Sequence, residues 1–347
     1  MTTVDGTARV RIGHSELNVR PVGLGCMGMS QSYGPADDST SIRTIRSALD
    51  LGVDHLDTSD VYGAADITWG VPIRGFGHNE ELIGKAISGR RDDVVLATKF
   101  AARINETNDG IAIDGRPEYV TAACEASLRR LNTDVIDLYY YHRLDPRVPI
   151  EETVGAMAEL VSAGKVRAIG LSEVGPQALR QAQAVHPIAA LQSEYSLWER
   201  GVEGDIAETC AALGVTLVAY SPLGRSALTG ALAADATFVK GDLRATNPRF
   251  TAENLGMNLA PVAALKALAD QKGCRPGQLA LAWLLSRPFK VVTIPGTKRI
   301  EYVAENLAAT NVALSADESD YLSELFAPGT IVGDRYAPIH ARTVVQS

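Results

Sequence analysis

Four residues able to exchange protons stand where short apolar runs give way to polar sequence. Asp57 ends the run Val53-Asp-His-Leu-Asp57, and Tyr62-Gly63 follows it across a few polar residues. Lys99 ends Asp93-Val-Val-Leu-Ala-Thr-Lys99, and His142 ends Val135-Ile-Asp-Leu-Tyr-Tyr-Tyr-His142. Taken singly, each has an ordinary explanation. Asp57 reads as a turn former or helix cap, His142 as a hydrogen-bonded core histidine, and Tyr62 as packing. The recurrence argues otherwise, because a lysine at the end of a buried strand is unfavourable unless paired, and Asp57 is the obvious partner. A carboxylate, a phenol, an ammonium and an imidazole brought together from three strand ends form a catalytic constellation. The edge at which parallel strands end is where helix-flanked barrels assemble such sets.

The elements that must position these residues can be read along the chain. Residues 8–19 alternate about a Gly-containing turn, which predicts a hairpin. Eight β-branched-rich runs follow: Pro21 to Gly25, Val53 to Asp57, Asp93 to Lys99, Val135 to His142, Val166 to Leu171, Ile188 to Gln192, Val215 to Tyr220 and Val291 to Ile294. Helical periods separate them, at 38–51, 80–88 (capped by Asn79), 117–131, from Pro149 to near Gly164, 176–185, 202–213, 259–272, 276–286 and 299–308, with a last helix at 316–326. Eight β–α units in order predict a (β/α)8 TIM barrel, its bottom capped by the N-terminal hairpin and its C-terminal face carrying long loops. No linker or low-complexity stretch divides the chain, so residues 1–347 are expected to form a single domain.

Gly23-Leu-Gly25-Cys-Met-Gly28 matches the glycine fingerprint of dinucleotide-binding sheets. That fingerprint needs a helix to start at once and an acidic residue about 20 positions later. Here a polar loop follows, and the corresponding position is Arg43, inside a helix. The doubly wound reading fails.

Bulk composition narrows the partners. The 347 residues are 46% hydrophobic and 21% charged, enough for a large core. A net charge of −8 without a Lys/Arg-rich run argues against nucleic acid and against an anionic membrane surface. Any anionic ligand must meet a local basic pocket. Cys26, Cys124, Cys210 and Cys274 are far apart, which supports neither a disulfide framework nor a metal site. No apolar N-terminal segment or run of ~20 apolar residues is present, so a cytoplasmic location is expected.

The strand ends, read in order, resemble the aldo-keto reductase superfamily over nearly the whole chain. The matching stretches are GLGCMGMS, LDTSDVYG, GHNEELIGKA, LATKF, YYYHR, GLSE, LQSEYSLW, AYSPLG and IPGTKR. The resemblance implies hydride transfer from NADPH to the carbonyl carbon of an aldehyde or ketone. Tyr62 would be the proton donor, eased by Lys99, itself held by Asp57, and His142 would orient the carbonyl oxygen. Cofactor contacts are implied at Gly28, Met29, Ser172, Gln192 and Tyr220, and at Ser221, Leu223, Gly224 and Arg225 in the loop that follows. Gly296 and Thr297 are implied cofactor contacts too, Lys298 and Arg299 would favour NADPH/NADP+ through the 2′-phosphate, and Glu305 and Asn306 would contact adenine.

Two departures stand out. Members of the superfamily commonly have Ser-Asn where this chain has Ser172-Glu173. The chain also carries an insert, Ala64 to Phe76, beside Tyr62, whose apolar residues could wall a pocket, pack on the barrel rim or meet a second subunit of a homo-oligomer. Tyr33, Trp69, Trp198 and the tail at Arg335-Tyr336 are further candidates for contacts to a small carbonyl or alcohol substrate. Two other readings stay open: an NADPH-binding regulatory subunit with little turnover, and a Schiff-base aldolase using Lys99.

Overall fold

The computed structural model describes residues 8–64, 74–104 and 111–336. Two short strands, β1 (Val10–Arg11) and β2 (Asn18–Val19), pair antiparallel as the predicted hairpin. The parallel strands follow as β3 (Leu24–Gly25), β4 (His55–Asp57) and β5 (Val95–Phe100). A second small hairpin, β6 (Ala102–Ile104) with β7 (Ile111–Ile113), interrupts them. Then come β8 (Ile136–Tyr141), β9 (Val166–Ser172), β10 (Ile188–Glu194), β11 (Thr216–Tyr220) and β12 (Val291–Thr293).

The eight parallel strands pair in chain order from β3 to β12. The circle closes where the first meets the last: Gly23 N donates to Thr293 O at 2.8 Å, and Thr293 N donates to Pro21 O at 2.8 Å. This is a (β/α)8 barrel, as the alternation predicts. Its floor is the hairpin. Ile12, Leu17 and Val19 join the barrel-interior residues Leu138, Ala168, Ala190, Val218 and Val292 in one apolar cluster. Gly13 lies so close to Ala189 that an added Cβ would come within 2.5 Å of its carbonyl oxygen. Only glycine lets the plug seat.

The main helices are α1 (Asp38–Asp50), α2 (His78–Ala86), α3 (Pro117–Leu131), α4 (Ile150–Ser162), α5 (Pro176–Val185), α6 (Asp205–Leu213), α7 (Ala252–Gln271), α8 (Pro276–Leu285), α9 (Ile300–Leu307) and α10 (Ala316–Leu325). They lay apolar faces on the barrel, and Trp283, Leu279 and Leu284 of α8 are essentially fully buried. Several boundaries differ from expectation: α6 starts at Asp205 instead of Val202, and two others bear on the site or have a clear cause. Asn79 does not cap α2; Gly77 does, with φ 82°, and Asn79 sits inside the helix. Its amide donates to Cys26 O and Ser30 Oγ, and Thr58 Oγ1 donates to its carbonyl, tying α2 to two site-bearing loops. The helix α7 begins seven residues early, because the Thr251 hydroxyl accepts from Asn254 N, and it runs through Pro261. Among the described residues no helix is long and apolar enough to cross a membrane.

Candidate active site

The strand ends put the four acid–base residues together. Lys99, the next-to-last residue of β5, is fully buried, and Asp57, at the end of β4, is 3% exposed. Lys99 Nζ donates to Asp57 Oδ1 at 2.6 Å, to Thr58 O at 2.7 Å and to Tyr62 Oη at 3.2 Å. All three ammonium protons are therefore engaged. The second oxygen of Asp57 accepts from Gln192 Nε2 at 2.7 Å. Because the phenol oxygen accepts from Lys99, its own proton is free to be donated. The His142 ring stands edge-on to the Tyr62 ring, with centroids 6.0 Å apart.

Position sets the charge states. Burial pushes the Tyr62 phenol up, and the Lys99 ammonium beside it offsets only part of that rise. Burial alone would lower the Lys99 ammonium, but Asp57 and the Tyr62 oxygen together outweigh it, and Lys99 is held above its ordinary value. Burial, then Arg143, then Lys99 drive His142 well below the ordinary histidine value, so its ring is neutral. Ser59 Oγ lies 3.2 Å from His142 Nδ1. When that hydroxyl donates, the proton of the neutral ring resides on Nε2.

A cavity of about 650 Å³ opens over this set. That volume lies within the range of small-molecule sites. Tyr62, His142, Ser172 and Gln192 line one part, with Tyr220. Gly28, Ser221, Leu223, Arg225, Gly296, Thr297, Lys298 and Arg299 line the remainder. The turn after β11 is tightly coiled: Ser221, Gly224, Arg225 and Ser226 all have positive φ. At Gly224 an added Cβ would come within 2.9 Å of Trp198, so the coil can pack there only as glycine.

Two loops meet across the cavity. Leu243 N donates to Ser32 O at 2.9 Å, the Arg244 guanidinium lies 5.5 Å from the Tyr33 ring centre, and Lys298 Nζ donates to the carbonyls of Tyr33 and Pro35. Tyr33 thus lines the wall shared with Arg244 and Lys298. Among the described residues neither Lys298 nor Arg299 has a carboxylate partner, although most other cations around the cavity do.

Several sequence candidates lie elsewhere. Met29 is fully buried in the main core, and Trp198 is 3% exposed, packed behind Gly224 and against Phe250. Trp198 therefore supports the coil from behind and does not face the cavity. Gly224 is buried in that coil, and Glu305 and Asn306 of α9 also fall outside the lining. Trp69 and residues 65–73 of the insert lie outside the described residues. Phe76 is described; it packs with Val61, Tyr62 and Ala64 beneath the Arg130 guanidinium, backing the tyrosine instead of lining the cavity.

Glu173, the departure from Ser-Asn, has a definite place. It is 6% exposed at φ 56°, accepts from Glu194 N at 2.9 Å and pairs with Arg335 of the tail. Glu194 pairs with Arg225 at 3.2 Å and with Arg335 at 3.4 Å. Arg225 and Arg335 both lie over the Tyr336 ring, and the Tyr336 and Tyr220 hydroxyls share a short hydrogen bond. The sequence suggested the tail, but not its acidic anchors. It also missed Arg143, Gln31, Arg244 and Asn247, which line the cavity. The run Asp242-Leu-Arg-Ala-Thr-Asn247, polar inside a long loop, was the available signal for the last two.

A profile of the aldo/keto reductase family matches residues 21–327. A glycerol dehydrogenase from Gluconobacter oxydans is 30% identical, with 95% of this chain and 98% of that one covered and a TM-score of 0.82. An aldo-keto reductase from Bacillus halodurans in its holo form is 27% identical over 91% of this chain and 95% of that one, at a TM-score of 0.74. An aldo/keto reductase from Klebsiella pneumoniae in complex with NADP and acetate is 29% identical, covering 95% and 98%, at a TM-score of 0.71. With its barrel closed, its four acid–base groups at the strand ends and most of its length matched, the chain belongs to the aldo/keto reductase family. It is an oxidoreductase of that class.

Proposed function

We propose that the protein reduces an aldehyde or ketone to the alcohol with NADPH, using Tyr62 as proton donor. The observation that carries this reading is the Lys99 ammonium, 2.6 Å from Asp57 and 3.2 Å from the Tyr62 oxygen on the cavity floor. NADP(H) is the cofactor of the class. The residues present fit it: Lys298 and Arg299, which have no carboxylate partner among the described residues, suit a 2′-phosphate, and the glycine-bearing coil after Tyr220 lets backbone approach a bound group closely.

When bound, NADPH supplies a hydride to the carbonyl carbon. The protein supplies the rest. Tyr62 gives its proton to the carbonyl oxygen as that hydride arrives, and the phenolate left behind takes a proton back from solvent. Lys99 stabilises the phenolate because it already donates to that oxygen. Asp57 keeps Lys99 charged in a site where burial alone would favour the free amine. Neutral His142 offers an N–H to the same carbonyl oxygen, so two donors face the charge that develops there. The Schiff-base reading loses its nucleophile, since Lys99 is held protonated and spends its protons on three acceptors.

The test is hydride transfer itself. Wild-type protein with NADPH and a panel of aldehydes and ketones should yield alcohol and NADP+ in equal amounts. Tight NADPH binding with no reduction across the panel would instead support a regulatory subunit.

A further inference from the structure

Of the cations that line the cavity, Arg143 is the one bonded to the backbone of an acid–base residue, yet the mechanism above does not use it. Arg143 follows His142 directly and lines the cavity beside Tyr62, Ser172 and Tyr220. One terminal nitrogen, Nη1, donates to His142 O at 2.6 Å and to Ser172 Oγ at 3.1 Å. Its other nitrogens have no partner among the described residues, yet they are not among the polar atoms sealed from solvent without one. They open onto the cavity.

Among the described residues no carboxylate pairs with Arg143. Two carboxylates behind this end of the cavity are spoken for: Glu173 accepts from Glu194 N through Oε1 and from Arg335 through Oε2. Glu194 is shared between Arg225 and Arg335. Among the described residues three guanidinium ions, Arg143, Arg225 and Arg335, therefore stand against two carboxylates, Glu173 and Glu194, and Lys99 with Asp57 adds nothing to the balance. An enclosed cation left uncompensated is costly, and an anion that enters beside it recovers that cost. A guanidinium is also the side chain best shaped to take a carboxylate through two parallel N–H donors.

Resting on the carbonyl-reductase reading above, we propose that Arg143 determines substrate specificity by binding a carboxylate on the substrate, so that the preferred class is a short oxo acid. Arg143 sits one residue from His142, and His142 with Tyr62 holds the reacting oxygen. The carboxylate that reaches Arg143 therefore lies close to the carbonyl being reduced. The product is the matching hydroxy acid, and reactions that supply the substrate would be those that leave a carbonyl beside a carboxylate, such as oxidative removal of an amino group.

The experiment compares pyruvate and phenylglyoxylate with their own methyl esters, which keep the carbonyl and remove the charge. In wild-type protein kcat/KM for each acid should exceed that of its ester by at least about 30-fold, equivalent to about 2 kcal/mol. In Arg143→Met the acid-to-ester ratio should fall to near one, and in Arg143→Lys it should recover in part. The ratio cancels any common effect of the substitution on cofactor binding or on Ser172. Wild-type ratios near or below one overturn the proposal without any variant, and so does a ratio that survives in a folded Arg143→Met protein. Turnover of a simple neutral aldehyde by the wild type keeps the two levels apart: reduction of the aldehyde and ester without preference for the acid sinks the role of Arg143 alone. Failure on all of them sinks the reductase reading beneath it.

Discussion

Replacing Lys99 with Met removes the one ammonium that touches both Asp57 and Tyr62, and its consequences for folding and for catalysis separate cleanly. Asp57 is 3% exposed and would keep Gln192 as a donor while losing its cation. Removing one partner of a buried ion pair costs about 3–5 kcal/mol of stability. Asp57→Asn alone should cost a similar amount, since it strands the ammonium. In the double variant both charges are gone, and the loss should be smaller than the sum of the singles by about 2 kcal/mol or more. Catalysis behaves differently. An ammonium 3.2 Å from the phenol oxygen stabilises a full phenolate by about 5 kcal/mol at an effective dielectric of about 20. Only part of that charge has developed when the proton is in flight, so about 4 kcal/mol, or about a thousandfold in kcat, is expected for Lys99→Met. The double variant should regain stability and stay inactive. Urea denaturation with steady-state NADPH oxidation on the same four proteins measures both quantities. Activity that returns with stability in the double variant would refute the reasoning, because the ammonium would then be structural only.

Two further outcomes follow from the same geometry. Burial and Arg143 hold His142 well below its ordinary value, and burial holds Tyr62 above its own. The donor stays protonated as pH rises and the imidazole stays neutral as pH falls, so kcat/KM for reduction should be flat through the ordinary histidine value, from below about pH 6 up to about pH 9. A pH–rate profile that breaks near the ordinary histidine value would contradict this. Lys298→Met should raise KM for NADPH by about tenfold and leave KM for NADH little changed, since a charged hydrogen bond is worth about 1.5–3 kcal/mol. Equal effects on both cofactors would place the 2′-phosphate elsewhere.

The sequence made the barrel legible because its strands are short, β-branched and each followed by a helical period, so the alternation alone dictates a parallel closed sheet. It also exposed the acid–base set, because a buried strand that ends in Asp57, Lys99 or His142 contradicts its own apolar pattern. What it hid were contacts that depend on how distant loops fold over the cavity. Trp198 is an aromatic residue near a strand end, which fits a pocket wall equally well, and only the close approach of Gly224 shows that it faces the core. Glu173 looked like a departure without a role until Arg335, far along the chain, proved to be its partner. Arg143 gives no signal in a linear pattern, because an arginine after a strand is usually solvated and its place in the cavity depends on the surrounding loops. Asn79 is a residue type favoured at a helix cap and precedes two glutamates, yet its amide serves the loops that carry the site.

The central claim is that Tyr62 delivers the proton, and Tyr62→Phe tests it most directly. That change removes one oxygen from a buried ring and leaves the Lys99–Asp57 pair in place. NADPH should bind Tyr62→Phe as tightly as wild type, by titration of cofactor fluorescence, while kcat for carbonyl reduction falls by about a hundredfold to ten-thousandfold. A variant that binds NADPH and turns over within a few-fold of wild type would show that the proton comes from another group, and the account of this site would have to be rebuilt around it.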